Sequence, residues 1–450
     1  FSPIIWVGKS LIENYIPTSI DPKDPSKLDI GPVNTTVTTN PVDGVRLRAS
    51  LQTTANLNPH MFWRGYLAYG FRDQRWKGLG EVTYSFRRKA YLPMEFPVSN
   101  LTFTYSYDVS VPSDQYLTTD KDNVFMAFKW ADVKHMTYDR SFKLVYDREW
   151  DYGLQWRAQL RHDMTEPTYK LFYQPVVNGI HYDAQGNYNP RPFGPGDGTS
   201  FSARNRRYLR TTDFAVLLQY QPGVAYINTK QRRILVNKEA PIYRISHMAG
   251  LRGVWSDYTY NLTEVGVRKR VWLRSWGRMD FDFAAGAQWN RVPFPLLIMP
   301  RANLAYVYDD DMYYLVDNME FLNDRYAQLM FNWSMNGKIF NRIPLFNRLK
   351  WREHVGFNIL WGRLTDKNNP YLEKNKTRSD LYYFPGEFNP DGSFRQQSKV
   401  MDPQVPYVEA AFGIHNIFKL FHIDYVRRFT YLDDPRTTRW GIRFMARVIF

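Results

Sequence analysis

Cysteine is absent from this chain. Within these residues that excludes disulfides, thiolate zinc sites, a cysteine nucleophile and a lipidated N-terminal cysteine. Long apolar runs are missing as well: no stretch of about 18 apolar residues is free of charge, which excludes a helical membrane protein. Clustered basic runs are also lacking. The net charge is +15, yet its Lys and Arg are dispersed among strand-like segments, so no nucleic-acid tail is marked. Dispersed positive charge equally suits anionic lipid and lipopolysaccharide headgroups. Residue 1 is Phe, with no signal peptide before it, and the chain reads as a mature protein or a piece of a longer one.

What is abundant is aromatic. Phe, Tyr and Trp make up 17% of the 450 residues, with 32 Tyr, 30 Phe and 14 Trp. Girdles at the two faces of a bilayer are the natural place for such an excess, because Tyr and Trp join an apolar body to a polar tip. The last stretch, 438–450, gives the pattern its meaning. Trp440, Ile442, Phe444, Ala446, Val448 and Phe450 alternate with Arg439, Gly441, Arg443, Met445 and Arg447. An arginine row cannot lie in a dry core without partners. It can face a wet lumen while the other face meets lipid, as in a transmembrane strand whose spanning part needs roughly 9–11 residues. The alternative is an amphipathic strand of a soluble sandwich.

Ser2-Pro3 opens a short N-terminal helix that Pro17 ends, too short to span a bilayer. Residues 21–42 read as linker, rich in Pro, Asp and Thr. The expected division is therefore a periplasmic helix and linker over 1–42 and a barrel over 43–450. Strand-like segments recur near 44–54, 60–72, 75–87, 97–111, 123–134, 138–149, 151–163, 208–221, 241–250, 257–270, 277–289, 325–336, 350–363, 404–415, 420–431 and 438–450. These make sixteen, an even number as single-chain bacterial barrels require. Glu353 breaks the lipid face of its strand, which is tolerable near an interface. With both termini periplasmic, the long connections 164–207, 290–324 and 364–403 become external and 73–74, 150, 271–276 and 416–419 are tight turns. Two connections, 112–122 and 222–240, are long for the periplasmic side.

The segments LDIGPVNTTVTTNPVDGVRLR (28–48), YLAYGFRDQRWKGLGEVTYSF (66–86), VPFPLLIMPRANLAYVY (292–308), MEFLNDRYAQLMF (319–331), NRIPLFNRLKWRE (341–353) and GIHNIFKLFHIDYVRRFTYL (413–432) resemble a Bacteroidota outer-membrane family that carries a domain of unknown function. Its members often have a preceding carboxypeptidase-regulatory-like β-sandwich, which these residues do not include. More distantly the layout is similar to BamA/TamA-type assembly and translocation barrels. That resemblance implies an external loop, here 290–324, folded into the lumen, with Arg301 as the candidate for its tip. Asn303 is a further anchor candidate, and Asp324-Arg325-Tyr326, which opens the twelfth strand, either anchors the long loop to the lumen wall through a charge-assisted pair or only marks the strand start. It also implies that the terminal aromatics Phe444 and Phe450 serve as the assembly signal.

Other motifs carry less. His422 and Asp424 share a strand face with Arg428, and an Asp–His pair in the lumen can activate water; a lumen hydrogen-bond network with Arg439, Arg443 and Arg447 is the plainer reading. The arginine row could instead line an anion path. Asp309, Asp310 and Asp311 lack EF-hand spacing and read as solvated. GPGDG (194–198) has no Walker lysine. No cofactor or metal site is expected. The sequence thus describes an all-β transmembrane antiparallel barrel in the outer membrane of a Gram-negative bacterium. A non-enzymatic assembly, translocation or scaffold role is expected, in contact with lipid, lipopolysaccharide and other outer-membrane or periplasmic proteins. A diffusion pore for small, anionic solutes and a rim hydrolase are the alternatives. Circular dichroism of the detergent-folded chain should be dominated by strand; a mostly helical spectrum would end this reading.

Overall fold

The computed structural model describes residues 14–19, 21, 23–113, 133, 135–169, 171, 173, 176, 208–231, 233–304, 311–378, 380–388 and 394–446. One antiparallel meander contains nearly all the regular structure. Its first strand, β1, is Leu28–Ile30 resumed at Val37–Asn40. There follow β2 (Gly44–Thr53), β3 (Met61–Gly70), β4 (Trp76–Ser85), β5 (Ser99–Ser110), β6 (His135–Glu149), β7 (Leu154–Tyr169) and β8 (Leu209–Tyr220). The second half is β9 (Ile242–Gly250), β10 (Asn261–Trp272), β11 (Arg278–Gln288), β12 (Arg325–Ser334), β13 (Arg352–Arg363), β14 (Tyr407–Ile417), β15 (Phe421–Arg428) and β16 (Trp440–Ala446).

The strands are amphipathic in the inverse sense to a soluble protein. In β2, Val45, Leu47 and Leu51 are exposed while Arg46, Arg48 and Gln52 are buried. In β15, Phe421, Ile423 and Tyr425 face out and His422, Asp424 and Arg428 face in. Period-two alternation puts each set on one face of the sheet. Apolar outside and charged inside is what a bilayer demands. Outward aromatics gather at the strand ends: Tyr84, Phe86, Tyr146 and Trp156 form a chain of rings with centroids 5.2, 6.1 and 5.8 Å apart. No helix among the described residues is long and apolar enough to cross a membrane.

Among the described residues the meander has sixteen strands, but they are not the expected sixteen. Residues 28–40 are not linker. They pair antiparallel with β2 at Ile30–Leu51 and again at Val37–Leu47, so the barrel starts at residue 28 rather than 43. Six residues (31–36) there face three (48–50), and the 3-10 turn Val33–Thr35 takes up the excess. That interruption, with Gly31 and Pro32, hides the strand from a period-two reading. Conversely, β5 pairs directly with β6 along Ser99–Ser110, so no strand at 123–134 is inserted between them. Apart from Val133, which is not in a strand, that segment lies outside the described residues, as does the expected helix up to residue 13.

The shift reassigns the connections. The rim at which 111–134, 170–208, 289–324 and 364–406 emerge is the loop rim; the rim of 54–60, 150–153, 273–277 and 418–420 is the turn rim. Segment 112–122 therefore belongs with the long loops and is no longer anomalous, while 73–74 moves to the loop rim. Segment 222–240 stays at the turn rim and has a use: it carries a small hairpin, Tyr226–Asn228 with Arg233–Leu235. Gln231 donates to Asp29 of β1 at 2.6 Å, and Arg233 pairs with Glu149 of β6 at 2.5 Å. The hairpin thus crosses the mouth of the barrel. Glu353 is buried at this rim, where its carboxylate accepts the backbone N–H groups of Ile339, at 2.7 Å, and Phe340.

Among the described residues β1 and β16 share no ladder. The open edge of β1 is instead met at the turn rim by Ile16–Pro17, paired with Ile30 and Asp29. Phe283, mid-strand on the outer face of β11, tests the assignment of faces. Phe283→Arg should cost roughly 2–4 kcal/mol in a denaturant titration of the bilayer-inserted protein, and the inward Ala284→Ser should cost far less.

Candidate functional site: the lumen and its inserted loop

Loop 289–324 does not stand away from the barrel. Tyr313, Leu315, Val316, Met319, Phe321 and Leu322 are all at most 1% exposed, although they belong to a connection rather than a strand. Tyr313, Val316 and Phe321 cluster with the inward residues Met330 of β12, Leu360 of β13, Tyr407 of β14 and Val109 of β5, Leu315 with Ala411 of β14 and Val426 of β15, and Met319 and Leu322 with Leu209 of β8. The loop is a plug, drawn in by an apolar ridge and fixed by polar contacts.

Glu409 on β14 makes the most specific of these. It is fully buried. One carboxylate oxygen accepts the N–H of Tyr314 and the amide of Asn358, both at 2.8 Å; the other accepts the N–H of Leu315 at 3.0 Å and the Tyr407 hydroxyl at 2.7 Å. Four donors answer one buried charge, which it needs in a dry site. Arg443 on β16 donates to the Tyr314 carbonyl at 2.8 Å. Arg428 on β15 grips Glu320 of the plug with both terminal nitrogens, at 3.0 and 2.7 Å. Across the lumen Asn318 donates to the His135 carbonyl of β6 at 2.7 Å, and Asp311 pairs with Arg268 of β10. Burial raises the Asp311 carboxyl, but Arg268, with Arg301 and Arg244 nearby, outweighs it and holds the group below the usual carboxylate range.

The residues singled out from sequence fall in several places. Asp324 is wholly buried and accepts from Thr365, through both N–H (3.1 Å) and hydroxyl, and from Asn368 at 2.8 Å. It ties the end of the plug to loop 364–406. Asn303 is fully buried, and its N–H bonds to the Tyr313 carbonyl at 2.8 Å. Arg301 accepts the Tyr313 N–H through its carbonyl at 2.9 Å, and its charge acts on Tyr326 of β12 and Arg244 of β9. Tyr326 faces in and donates to Glu264 at 2.8 Å. Arg325 is exposed, its guanidinium 5.8 Å from the ring of Trp289. His422, Asp424, Arg428 and Arg443 are buried. Arg439 is exposed at the loop rim, where it donates to the Leu432 carbonyl at 3.4 Å, and so stands apart from that inward network. Phe444 lies on the outer face, 44% exposed. Arg447, Phe450, Asp309, Asp310 and GPGDG lie outside the described residues. Asp280 pairs with Arg270 rather than with the arginines of β16.

Sequence reasoning missed Glu409 and Glu320. The plug groups that meet Glu409 lie 95 and 94 residues away in sequence, and Arg428 lies 108 from Glu320, so no local pattern announces them. Glu409 alone carried a signal: a carboxylate on the inward face of a strand, opposite Arg428 on the next.

The sequence profile of the C-terminal domain of a family of unknown function (DUF5686) matches residues 18–375. The chain belongs to this family. A search of curated proteins finds no match. Among solved structures the DUF5686 domain is similar to BamA from Haemophilus ducreyi lacking POTRA domains 1–3, at 10% identity and a TM-score of 0.47, covering 91% of this chain and 68% of that one. It is also similar to CdiB from Acinetobacter baumannii, at 10% identity and 0.43, covering 91% and 57%. OmpT of Vibrio cholerae follows at 9% identity and 0.31, covering 82% and 87%. Likeness at this level carries no argument about role.

The plug contacts are open to direct test. Arg428→Ala, which leaves Glu320 with Lys399 at 3.7 Å and the Asp317 N–H at 3.0 Å, should destabilise the folded barrel by roughly 2–4 kcal/mol, below the full cost of breaking a buried pair. Glu409→Gln, which turns one acceptor into a donor facing the plug backbone, should cost about 1–3 kcal/mol. Denaturant titration of the reconstituted protein measures both.

Proposed function

We propose that this DUF5686 domain is an outer-membrane barrel with a closed lumen that works as an assembly, translocation or scaffold component, with no enzymatic step of its own. The carrying observation is the plug. A conduit for small solutes needs a continuous wet path, whereas here the middle of the barrel is filled by 311–323 and bonded to β6, β10, β14, β15 and β16. The arginines of β16 do not favour an anion path either, since Arg443 is used to hold the plug. For a rim hydrolase the pair His422 and Asp424 sits badly. Asp424 is already in contact with two other histidines, and both residues lie near the turn rim.

The seam is the part of the wall suited to action. The edge of β1 is free of β16 and partly taken by Ile16–Pro17. A client strand can add to such an edge through main-chain hydrogen bonds. The loop rim then faces outside and both ends of the meander lie on the periplasmic side, where partner proteins and preceding domains would reach them. Lipid and lipopolysaccharide contact the apolar belt.

In planar bilayers the purified protein should show no steady conductance, and the double variant Glu409→Gln/Arg428→Ala should open it. A stable open level in the unaltered protein would return the reading to a diffusion pore. A disulfide engineered between β1 and β16 should abolish function in cells, read as outer-membrane protein composition; an unchanged composition would remove the seam mechanism.

A further inference from the structure

Three of the chain's eight histidines meet inside the wall, below the plug and toward the turn rim. His354 comes from β13, His415 from β14 and His422 from β15, which also supplies Asp424; all four side chains are buried. His354 Nδ1 lies 2.7 Å from Asp424 Oδ1, and His415 Nε2 lies 3.1 Å from each oxygen of the same carboxylate. The two rings stack with centroids 4.1 Å apart, and His422 stands edge-on to His415 at 4.3 Å.

The surroundings are cut to fit. Gly413 is the ladder partner of Asp424, and a Cβ there would fall 1.8 Å from Asp424 Oδ1. Only glycine leaves room for the carboxylate to turn toward the histidines. Gly356 does the same beside His354: a Cβ would come within 3.2 Å of Asn332 Oδ1. That oxygen is 3.2 Å from His354 Nε2. An N–H at Nε2 donating to Asn332 leaves Nδ1 with its lone pair aimed at Asp424. In that tautomer two lone pairs face each other at 2.7 Å, an arrangement that a metal ion between them relieves; in the other, Nδ1–H donates to Asp424 and the Asn332 amide turns its NH2 toward Nε2. An oxygen acceptor on the far nitrogen is also how ligating histidines are oriented in metal sites.

We propose that this cluster is a metal site for a borderline divalent ion of the zinc class, held by His354 Nδ1, His415 Nε2 and a carboxylate oxygen of Asp424. Two imidazole nitrogens and one carboxylate suit Zn²⁺, Cu²⁺ or Ni²⁺ better than Ca²⁺ or Mg²⁺, which prefer oxygen alone. The ligand atoms lie within 4.8 Å of one another; tetrahedral bonds of about 2.0–2.2 Å would space them roughly 3.3–3.5 Å apart, so the contacts with Asp424 open by several tenths of an ångström as the ion enters. The ion's role is structural: it staples β13, β14 and β15, the strands leading to the free edge. This inference does not depend on the assembly or translocation reading. It was out of reach of sequence patterns, since the ligands lie 70 and 9 residues apart on three strands.

The test uses the whole folded chain in detergent, stripped with a chelator and dialysed against Zn²⁺. One equivalent per chain should bind, with a raised melting temperature. Cu²⁺ in its place should give a paramagnetic resonance spectrum with hyperfine coupling from two imidazole nitrogens, a readout that needs no variant. His354→Gln and His415→Gln, checked for folding by heat-modifiable gel migration, should each lose about tenfold or more in affinity. The control His162→Gln, elsewhere on the wall, should lose none. Substoichiometric binding of both Zn²⁺ and Cu²⁺, or unchanged affinity in His354→Gln and His415→Gln, would overturn the proposal. The cluster would then be a buried histidine–carboxylate hydrogen-bond network.

Discussion

A charge that faces the inside of this wall must find its counterpart there, because the outer face offers only lipid. That constraint organises the molecule. Arg46 of β2 is 1% exposed and holds Asp108 of β5 with two hydrogen bonds, at 2.6 and 3.0 Å. Lys77 of β4 lies between Asp43 and Asp73. On the opposite wall Glu409 faces Arg428 and Asp424 faces Arg443 across neighbouring strands, and the loop 289–324 adds the remaining partners. Its backbone N–H groups complete the shell of Glu409, its Glu320 takes Arg428, and one of its carbonyls takes Arg443. Taken out of the lumen, it would exchange these charge-assisted bonds, each worth about 1.5–3 kcal/mol, for water. Plug and wall are therefore one hydrogen-bonded object.

The two ends of the lumen are closed by different means. At the loop rim an apolar ridge and ion pairs fill the section. At the turn rim the hairpin of 222–240 reaches across, and between it and the wall a cavity of about 680 Å³ remains, lined by Arg64, Glu81, Asp147, Glu149, Arg157 and Arg233 among others. Its lining is mixed in sign, so it is wet and does not select strongly for either charge.

Much of the fold was legible because a two-faced strand repeats every second residue. Trp440, Ile442 and Phe444 face out and Arg443 faces in, as their spacing says. The same holds for Phe283 against Asp282, whose carboxylate meets Arg268 in the lumen. Legibility failed where periodicity is interrupted. Residues 28–40 form a strand only because a 3-10 turn absorbs three residues within it, and Pro and Thr there mimic a linker. It failed again for contacts made across the barrel. Nothing near Glu409 or Glu320 in the chain names Leu315 or Arg428, since the lumen joins residues that closure of the sheet, not local sequence, brings together. The histidine cluster has the same origin.

The carboxylate of Asp324 reaches beyond the plug. It receives Thr365 and Asn368 from the start of loop 364–406, and near the other end of that loop Lys399 donates its N–H to the Glu320 carbonyl at 2.6 Å. The descending limb of the plug is thus clasped twice by a segment that emerges at the loop rim. Any load on 364–406 passes to Glu320 and Asp324, and Glu320 also holds Arg428. The two loops therefore form a single latch, with its anchorage on the wall at β15.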